Sequence, residues 1–215
     1  MLLMVDIFFR RVDIKMKIIE FIEELKKEYV ADCIVRENGT LLLNPSNIPK
    51  CKHMIFQPLK DEYIKEFIIP SFQGLAFPSE YSELLKNYNG ANLFSIKITS
   101  GEFSIAHSML VFLGLPLTKP FNRPINMEEP FDIRIENLAR HKSIPKEWVK
   151  CAIWTEIKNI GKGQPTDIFV DSITNKVYAC AKNQHNILYS WNNIDECFCD
   201  IVKTFKSLED EYFID

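Results

Sequence analysis

The sequence predicts an α+β fold in which a twisted, mainly antiparallel sheet packs against helices. Amphipathic helical patterns lie near both ends of the chain, and several short apolar segments separated by turn residues lie between them. Short turns between neighbouring apolar segments favour antiparallel pairing, and helices outside a run of strands are typical of α+β proteins. The 215 residues contain no repeat or low-complexity block that would force a second domain.

The first predicted elements are a helix over residues 15–29 and a β-hairpin. Apolar side chains recur at helical spacing along one face of the helix. Residues 33–36 and the apolar residues 41–43 then flank Asn38 and Gly39. An Asn-Gly pair between two such runs predicts a hairpin, because both residues accept positive φ.

Two further helices and a strand are predicted next. A short helix over residues 61–69 is ended by Pro70, since proline cannot continue the hydrogen-bond ladder. Pro78 suits the first turn of the second helix, and Gly90 can adopt the left-handed conformation that ends it. A strand over residues 92–98 follows. The apolar stripe of the second helix consists of Tyr81, Leu84, Leu85 and Tyr88.

The second half of the chain is predicted to contain mostly strands. Residues 101–117 are apolar with scattered turns and predict no single element, and the prolines of residues 116–130 mark a long loop or an insertion. Asp132 is the expected N-cap of a short helix over residues 133–140. Short turns then predict an antiparallel meander followed by an amphipathic helix, over residues 148–157, 167–171, 177–181, 187–191 and 195–208.

Two motifs occur in a fixed order within this pattern. The first is a proline, a tyrosine, paired apolar residues, Asn-Gly and an aromatic strand: Pro78, Tyr81, Leu84, Leu85, Asn89, Gly90, Leu93 and Phe94. The second is a strand that ends at Asp171, a short turn, and a strand that contains Tyr178. In order and spacing the two motifs resemble the SUKH superfamily, which includes a regulator of cell-wall synthesis and many bacterial immunity proteins.

The resemblance implies a SUKH-like domain over residues 58–215, with residues 1–57 forming an N-terminal helix and hairpin extension packed on it. It also implies that Tyr81 fills the core and that Gly90 turns the chain, so that the motif is architectural. The implied function is that of a non-catalytic immunity protein, which binds and neutralises a cognate polymorphic toxin such as a nuclease or deaminase domain. A scaffold or regulatory module of the cell-wall regulator type is an alternative, and an enzyme of unknown type is a further one.

Composition and motif searches argue against several other classes of protein. The net charge of -3 disfavours direct nucleic-acid binding, which usually needs a basic surface. The apolar stretch at the start is interrupted by Asp6 and precedes Arg10, the reverse of the charge order in a secretory signal, so a cytoplasmic location without membrane contact is expected. The six cysteines form no CxxC pair and the four histidines no HExxH motif, so we expect no metal, cofactor or catalytic residues.

Aromatic residues of the late strands are the predicted partner-binding residues. Tryptophan and tyrosine dominate the binding energy of protein interfaces, and neighbouring carboxylates would attract a basic toxin surface. The sequence leaves open whether the chain is a monomer or a dimer. The predicted partner-binding residues are Trp148, Trp154, Asp171, Tyr178, Tyr189, Trp191 and Asp195.

Overall fold

The structure is a computed structural model that describes residues 17–44, 52–72, 76–100, 103–116, 129–139, 142–155, 165–182 and 184–212. The expectations for residues 1–16 and for most of the proline-rich stretch 116–130 lie outside these ranges. Among the helices of the described ranges, none combines the length and the hydrophobicity that a membrane crossing requires.

The described strands form one nine-stranded sheet in which every strand pairs antiparallel with its neighbours in the chain. Short connections join several of these pairs, whereas the connections from β3 to β4 and from β5 to β6 contain helices. The sheet confirms the predicted α+β class and its antiparallel pairing. Its strands are β1 (Cys33–Val35), β2 (Leu41–Leu43), β3 (Lys52–Ile55), β4 (Ala91–Ser100), β5 (Phe103–Phe112), β6 (Trp148–Trp154), β7 (Thr166–Asp171), β8 (Val177–Ala181) and β9 (Ile187–Trp191).

Helices cover one face of this sheet, which we call the helix face. Phe21 and Phe198 meet there edge to face, with ring centroids 5.1 Å apart, in a core that also contains Ile168 of β7. Because side chains alternate along a strand, Phe169 points to the opposite or second face, into a smaller buried cluster. The helices are α1 (Ile18–Glu28), α2 (Ser79–Asn87), α3 (Ile133–Leu138) and α4 (Ile194–Tyr212), with an irregular helical segment formed by Asp61–Tyr63, Ile64–Ile68 and Ile69–Phe72.

The predicted hairpin between β1 and β2 is confirmed, although its turn differs from the expected one. Gly39 has φ +79°, whereas the Asn38 side chain accepts the Thr40 N–H at 3.1 Å and Asn38 is not among the positive-φ residues. The Gly39 N–H donates to the Arg36 carbonyl at 2.9 Å. The loop is therefore of the three-residue kind, in which only the glycine is left-handed.

The junction between α2 and β4 is built from Asn89 and Gly90. The Asn89 side chain both accepts the Leu115 N–H and donates to the Leu115 carbonyl, each at 2.7 Å, and so it pairs with that residue as another strand would. Gly90 has φ +85°, the predicted left-handed conformation, but it does not cap α2, which ends at Asn87 with an extended Tyr88 as its C-cap. A Cβ at Gly90 would lie 2.6 Å from the Phe112 carbonyl oxygen, so this position has no room for a side chain.

Tyr81 joins α2 to two strands. Its side chain is completely buried, as predicted, and its Oη lies 2.5 Å from the Leu113 carbonyl oxygen and 2.6 Å from that of Cys151. Burial raises the pKa of Tyr81 well above its usual value, so the hydroxyl remains a protonated donor. The paired apolar residues Leu84 and Leu85 are buried beside it.

We expect Tyr81→Phe to lower the free energy of unfolding by about 1–3 kcal/mol, because the substitution leaves a buried carbonyl without its donor. An unfolded tyrosine ionises near pH 10 while the folded one stays protonated, so the stabilisation is complete below pH 10 and decreases above it. Urea unfolding of both proteins between pH 7 and 11 measures this, and the difference between them should shrink above pH 10. A difference that is independent of pH would contradict the argument.

Phe94, the last residue of the first motif, adopts an unusual conformation within β4. Its φ is +54°, and the register between β3 and β4 shifts at the same place, between Lys52 and Met54. The Phe94 N–H donates to Nδ1 of the buried His53 at 3.3 Å, and the two rings are 5.2 Å apart. A left-handed aromatic residue costs about 1–2 kcal/mol, which these contacts offset.

Strand β5 was not predicted as a single element. It pairs with β4 along its length, from Ala91 opposite Phe112 to Ser100 opposite Phe103. Met109, Leu110 and Phe112 are all buried, so both sides of the strand are covered at its C-terminal end and the apolar–polar alternation that identifies a strand is missing there.

The predicted division between residues 57 and 58 falls within the sheet. Strand β3 precedes it and β4 follows it, and the two strands pair, with Ile55 opposite Ala91. Helix α1 also contributes Phe21 to the core of the helix face. The boundary itself stays a prediction.

Candidate functional site

The predicted partner-binding residues lie on two different faces of the sheet. Strand register defines the faces, because residues directly opposite each other on neighbouring strands point to the same side. Ala179 of the helix face is opposite Tyr189, and Phe169 of the second face is opposite Tyr178. Trp154, Tyr189 and Trp191 therefore belong to the helix face, and Trp148, Asp171 and Tyr178 belong to the second face.

Both Trp148 and Trp154 are core residues, with exposed fractions of 8% and 7%. Trp148 stacks on Tyr178 with ring centroids 4.1 Å apart and an interplanar angle of 11°. His185 packs against the same indole at 5.4 Å. These two tryptophans offer little surface to a partner, and their residue type alone does not distinguish a core position from an exposed one.

The carboxylates of Asp171 and Asp195 are engaged within the fold. Asp171 accepts the N–H groups of Ile173 and Thr174 at 2.8 and 3.2 Å, which stabilises the turn between β7 and β8 in the manner of an Asx-turn. Asp195 accepts the Ile18 N–H at 3.0 Å, so the first turn of α4 caps the first turn of α1. Both residues have a structural role, and both remain partly exposed.

Strand β9 carries the exposed apolar residues of this region. Ile187, Leu188 and Tyr189 have exposed fractions of 46%, 45% and 44%. Trp191 is partly buried beside Tyr189, with ring centroids 6.0 Å apart. We call these four residues, together with Glu196 and Asp200 of α4, the edge surface.

Two carboxylates border the edge surface on the side of α4. The Trp191 Nε1–H donates to Asp200 Oδ2 at 2.7 Å. Glu196 accepts both the backbone N–H and the side-chain amide of Asn192, at 3.1 and 2.9 Å. These bonds hold two negative charges beside an uncharged strand, in the arrangement of an apolar interface centre with a charged rim.

Sequence reasoning selected Tyr189 and Trp191 but not Ile187 or Leu188. Their position was the available signal: they are two successive apolar residues in the last strand of a meander, and among the described strands this strand has a neighbour on one side only. A strand between two others would bury such a pair. Exposure at the edge follows from topology, which a single-strand pattern does not reveal.

A cleft of about 370 Å³ lies on the second face, next to α3. Lys150 Nζ is 2.7 Å from Glu136 Oε2 and 2.7 Å from Asp167 Oδ1. The side chains of Lys150 and Asp167 are only 6% and 5% exposed, whereas that of Glu136 is 29% exposed. Lys182 also lines the cleft, so cations and carboxylates are balanced there.

The chemistry available in this cleft is limited. The nearby Cys180, opposite Asp167 on β8, is fully buried and does not line the cleft. Burial, with a smaller contribution from the Asp167 carboxylate, raises the pKa of its thiol to about 11. A thiol that stays protonated at neutral pH is a poor nucleophile. Within the part of the chain that the structure describes, no three His, Cys, Asp or Glu side chains are placed to hold a metal ion.

A second group of exposed apolar side chains lies on and next to α3. Phe131, Ile135 and Leu138 are 51%, 56% and 73% exposed. Ile135 and Leu138 are three residues apart and therefore share one face of the helix. This group, which we call the α3 surface, is a competing place for a partner to bind.

Comparison with known proteins gave no relative: no protein-family model, curated protein or solved structure matches this chain.

Proposed function

We propose that this chain is a non-catalytic protein-binding module that acts as an immunity protein, binding a cognate toxin domain and blocking it. The observation that carries the binding part is the edge surface, where three apolar side chains of one strand are each more than two-fifths exposed. Exposed apolar groups with a charged border are typical of protein interaction sites. The immunity part rests on the resemblance of the two sequence motifs to the SUKH superfamily.

The acidic border of the edge surface supports a basic partner. Glu196 and Asp200 are fixed by hydrogen bonds to Asn192 and Trp191, so their charges are held in place before a partner arrives. Complementary charge speeds association and excludes wrong partners more than it adds affinity. A basic toxin domain, such as a nuclease, fits this border, and the protein would inhibit it by occlusion.

An enzyme that uses the cleft of the second face is the alternative, favoured by the ion cluster of Lys150, Glu136 and Asp167. Against it, each carboxylate lies 2.7 Å from the lysine, so the lysine is already paired with both of them within the fold. A scaffold of the cell-wall regulator class differs from an immunity protein in the number of its partners. It requires several partners that bind weakly, whereas an immunity protein requires one partner that binds tightly.

We predict that Leu188→Lys weakens partner binding at least about tenfold, which corresponds to about 1.4 kcal/mol. The substitution places a positive charge against the basic surface of the partner and removes an apolar contact. The protein and its variants are used as bait in a pull-down from the native host. Proteins retained in a one-to-one ratio with the bait are identified by mass spectrometry and compared between the wild type and the variants. Leu138→Lys is the matched control, since it makes the same change on the α3 surface.

Retention of one large multidomain protein encoded beside this chain supports the immunity proposal, provided that its toxin domain arrests growth and co-expression of this chain restores it. Normal binding by Leu188→Lys together with loss of binding by Leu138→Lys would assign the partner to the α3 surface. Retention of many unrelated proteins would favour the scaffold alternative.

A further inference from the structure

We infer that the edge surface binds its partner by strand addition, in which an extended partner segment with apolar residues and a basic end pairs with the free edge of β9. This inference rests on the proposed protein-binding function and deepens it by naming the mode of binding. Four features support it: the open edge of β9, the absence of charged residues from this strand, its exposed side chains, and the two α4 carboxylates next to its Trp191 end.

The open edge follows from the sheet order. Among the described strands β9 pairs with β8 alone, from Val177 opposite Trp191 to Cys180 opposite Ile187. The outer side of β9 therefore presents backbone N–H and C=O groups that another strand can pair with. The opposite edge strand, β1, has three residues, and β9 has five, of which Tyr189 to Trp191 lie in regular register.

Strand β9 has few of the features by which proteins block an exposed edge. Lysine, other charged residues and proline commonly serve that purpose, and none occurs in the sequence ILYSW. The register shift between Ala179 and Cys180 lies toward the Ile187 end, so the regular part of the strand, from Tyr189 to Trp191, is not interrupted.

The exposed side chains would receive a partner strand on both faces of the sheet. Tyr189 and Trp191 point to the helix face, because they are opposite Ala179 and Val177, and Ile187 points to the second face, opposite Cys180. Aromatic and β-branched side chains on an added strand would pack against them as cross-strand pairs. In this mode the backbone supplies affinity, and the alternating side chains supply specificity.

The charges at the edge select among possible partners. Glu196 and Asp200 both lie at the Trp191 end, so a lysine or arginine at the matching end of the added strand is favoured. A second copy of this chain would bring the same two carboxylates to the interface, and like charges oppose association. The complement of this edge is therefore a different chain with a basic end.

The test uses a synthetic heptapeptide of alternating valine and threonine with a lysine at each end, followed by residue-resolved amide hydrogen exchange of the full-length protein. We expect slower exchange within residues 187–191 at millimolar peptide. A peptide with glutamate at both ends should bind at least threefold more weakly, a difference that 0.5 M salt removes through screening. Replacing the central threonine by proline should abolish protection, because proline cannot pair as a strand.

Matched variants locate the effect. Leu188→Lys should weaken protection by the lysine-ended peptide, and Leu138→Lys on the α3 surface should leave it unchanged. Equal protection by the acidic peptide, protection at β1 in place of β9, or no protection at all would overturn the inference. Light scattering that shows a dimer of this 25.1 kDa chain, with β9 protected in the absence of peptide, would also overturn it in favour of a second copy.

The failure of strand addition is distinguishable from failure of the proposed function. Equal retention of one partner by the wild type and by Leu188→Lys would support the proposed protein binding but would show that β9 takes no part in it. Loss of retention by the wild type contradicts the binding proposal itself, whatever the peptide does.

Discussion

Lys150→Met is expected to lower the free energy of unfolding by about 3–5 kcal/mol, the usual cost of removing one partner from a buried ion pair. Lys150 is the cation between Glu136 and Asp167, at 2.7 Å from each. Methionine fills a similar volume but leaves the Asp167 carboxylate buried without this cation. Denaturant unfolding at pH 7 measures the loss, which should appear as a lower midpoint with an unchanged slope.

A double-variant cycle separates the charge effect from packing. Asp167→Asn alone should cost less than Lys150→Met, because the lysine keeps Glu136 as a partner. The double variant Lys150→Met with Asp167→Asn should recover a large part of the loss, since no buried charge then remains at this pair. If the double variant is as unstable as the sum of the two single variants, the ion pair is not the cause.

Gly90→Ala is the second substitution with a large expected effect, about 2–5 kcal/mol. The left-handed backbone contributes about 1–2 kcal/mol of this for any residue with a Cβ. Overpacking contributes about 1–3 kcal/mol more, because the new methyl group would lie 2.6 Å from the Phe112 carbonyl oxygen, a backbone atom that cannot swing away.

Gly39→Ala is the matched control for this prediction. Gly39 has φ +79°, close to the +85° of Gly90, and its added Cβ would also come within 2.6 Å of an oxygen. That oxygen is the end of the flexible Gln57 side chain, which can rotate away. Gly39→Ala should therefore cost only the backbone part, about 1–2 kcal/mol. Equal losses for the two variants would show that the contact with Phe112 contributes nothing.

The elements with a clear period or a clear end signal were predictable from the sequence. The buried face of α1, with Ile18, Ile22 and Leu25, follows its helical spacing. Asp132 caps α3 by accepting the Arg134 N–H at 2.9 Å, as its residue type predicts. These features depend on residues within about one helical turn of each other, so they can be predicted from a short stretch of sequence.

The features that depend on distant elements were not predictable in this way. The C-terminal end of β5 lacks an apolar–polar alternation because both faces of the strand are covered there. Lys150 lies in the apolar sequence WVKCAIW of β6, where alternation alone would place it in water, yet α3 buries it and supplies Glu136. The separation of Trp148 from Trp191 onto different faces depends on strand register, including the shift between Lys150 and Ala152.

The contact between the first turns of α1 and α4 has a consequence for the order of folding. The nine described strands pair with their neighbours in the chain, and the hairpins with short connections, such as β1–β2 and β7–β8, consist of local contacts that form rapidly. The hydrogen bond from Ile18 to Asp195 spans 177 positions of the chain. During synthesis the Ile18 N–H therefore lacks this acceptor until α4 has been made, and Phe21 of α1 lacks its packing partner Phe198 until the same point.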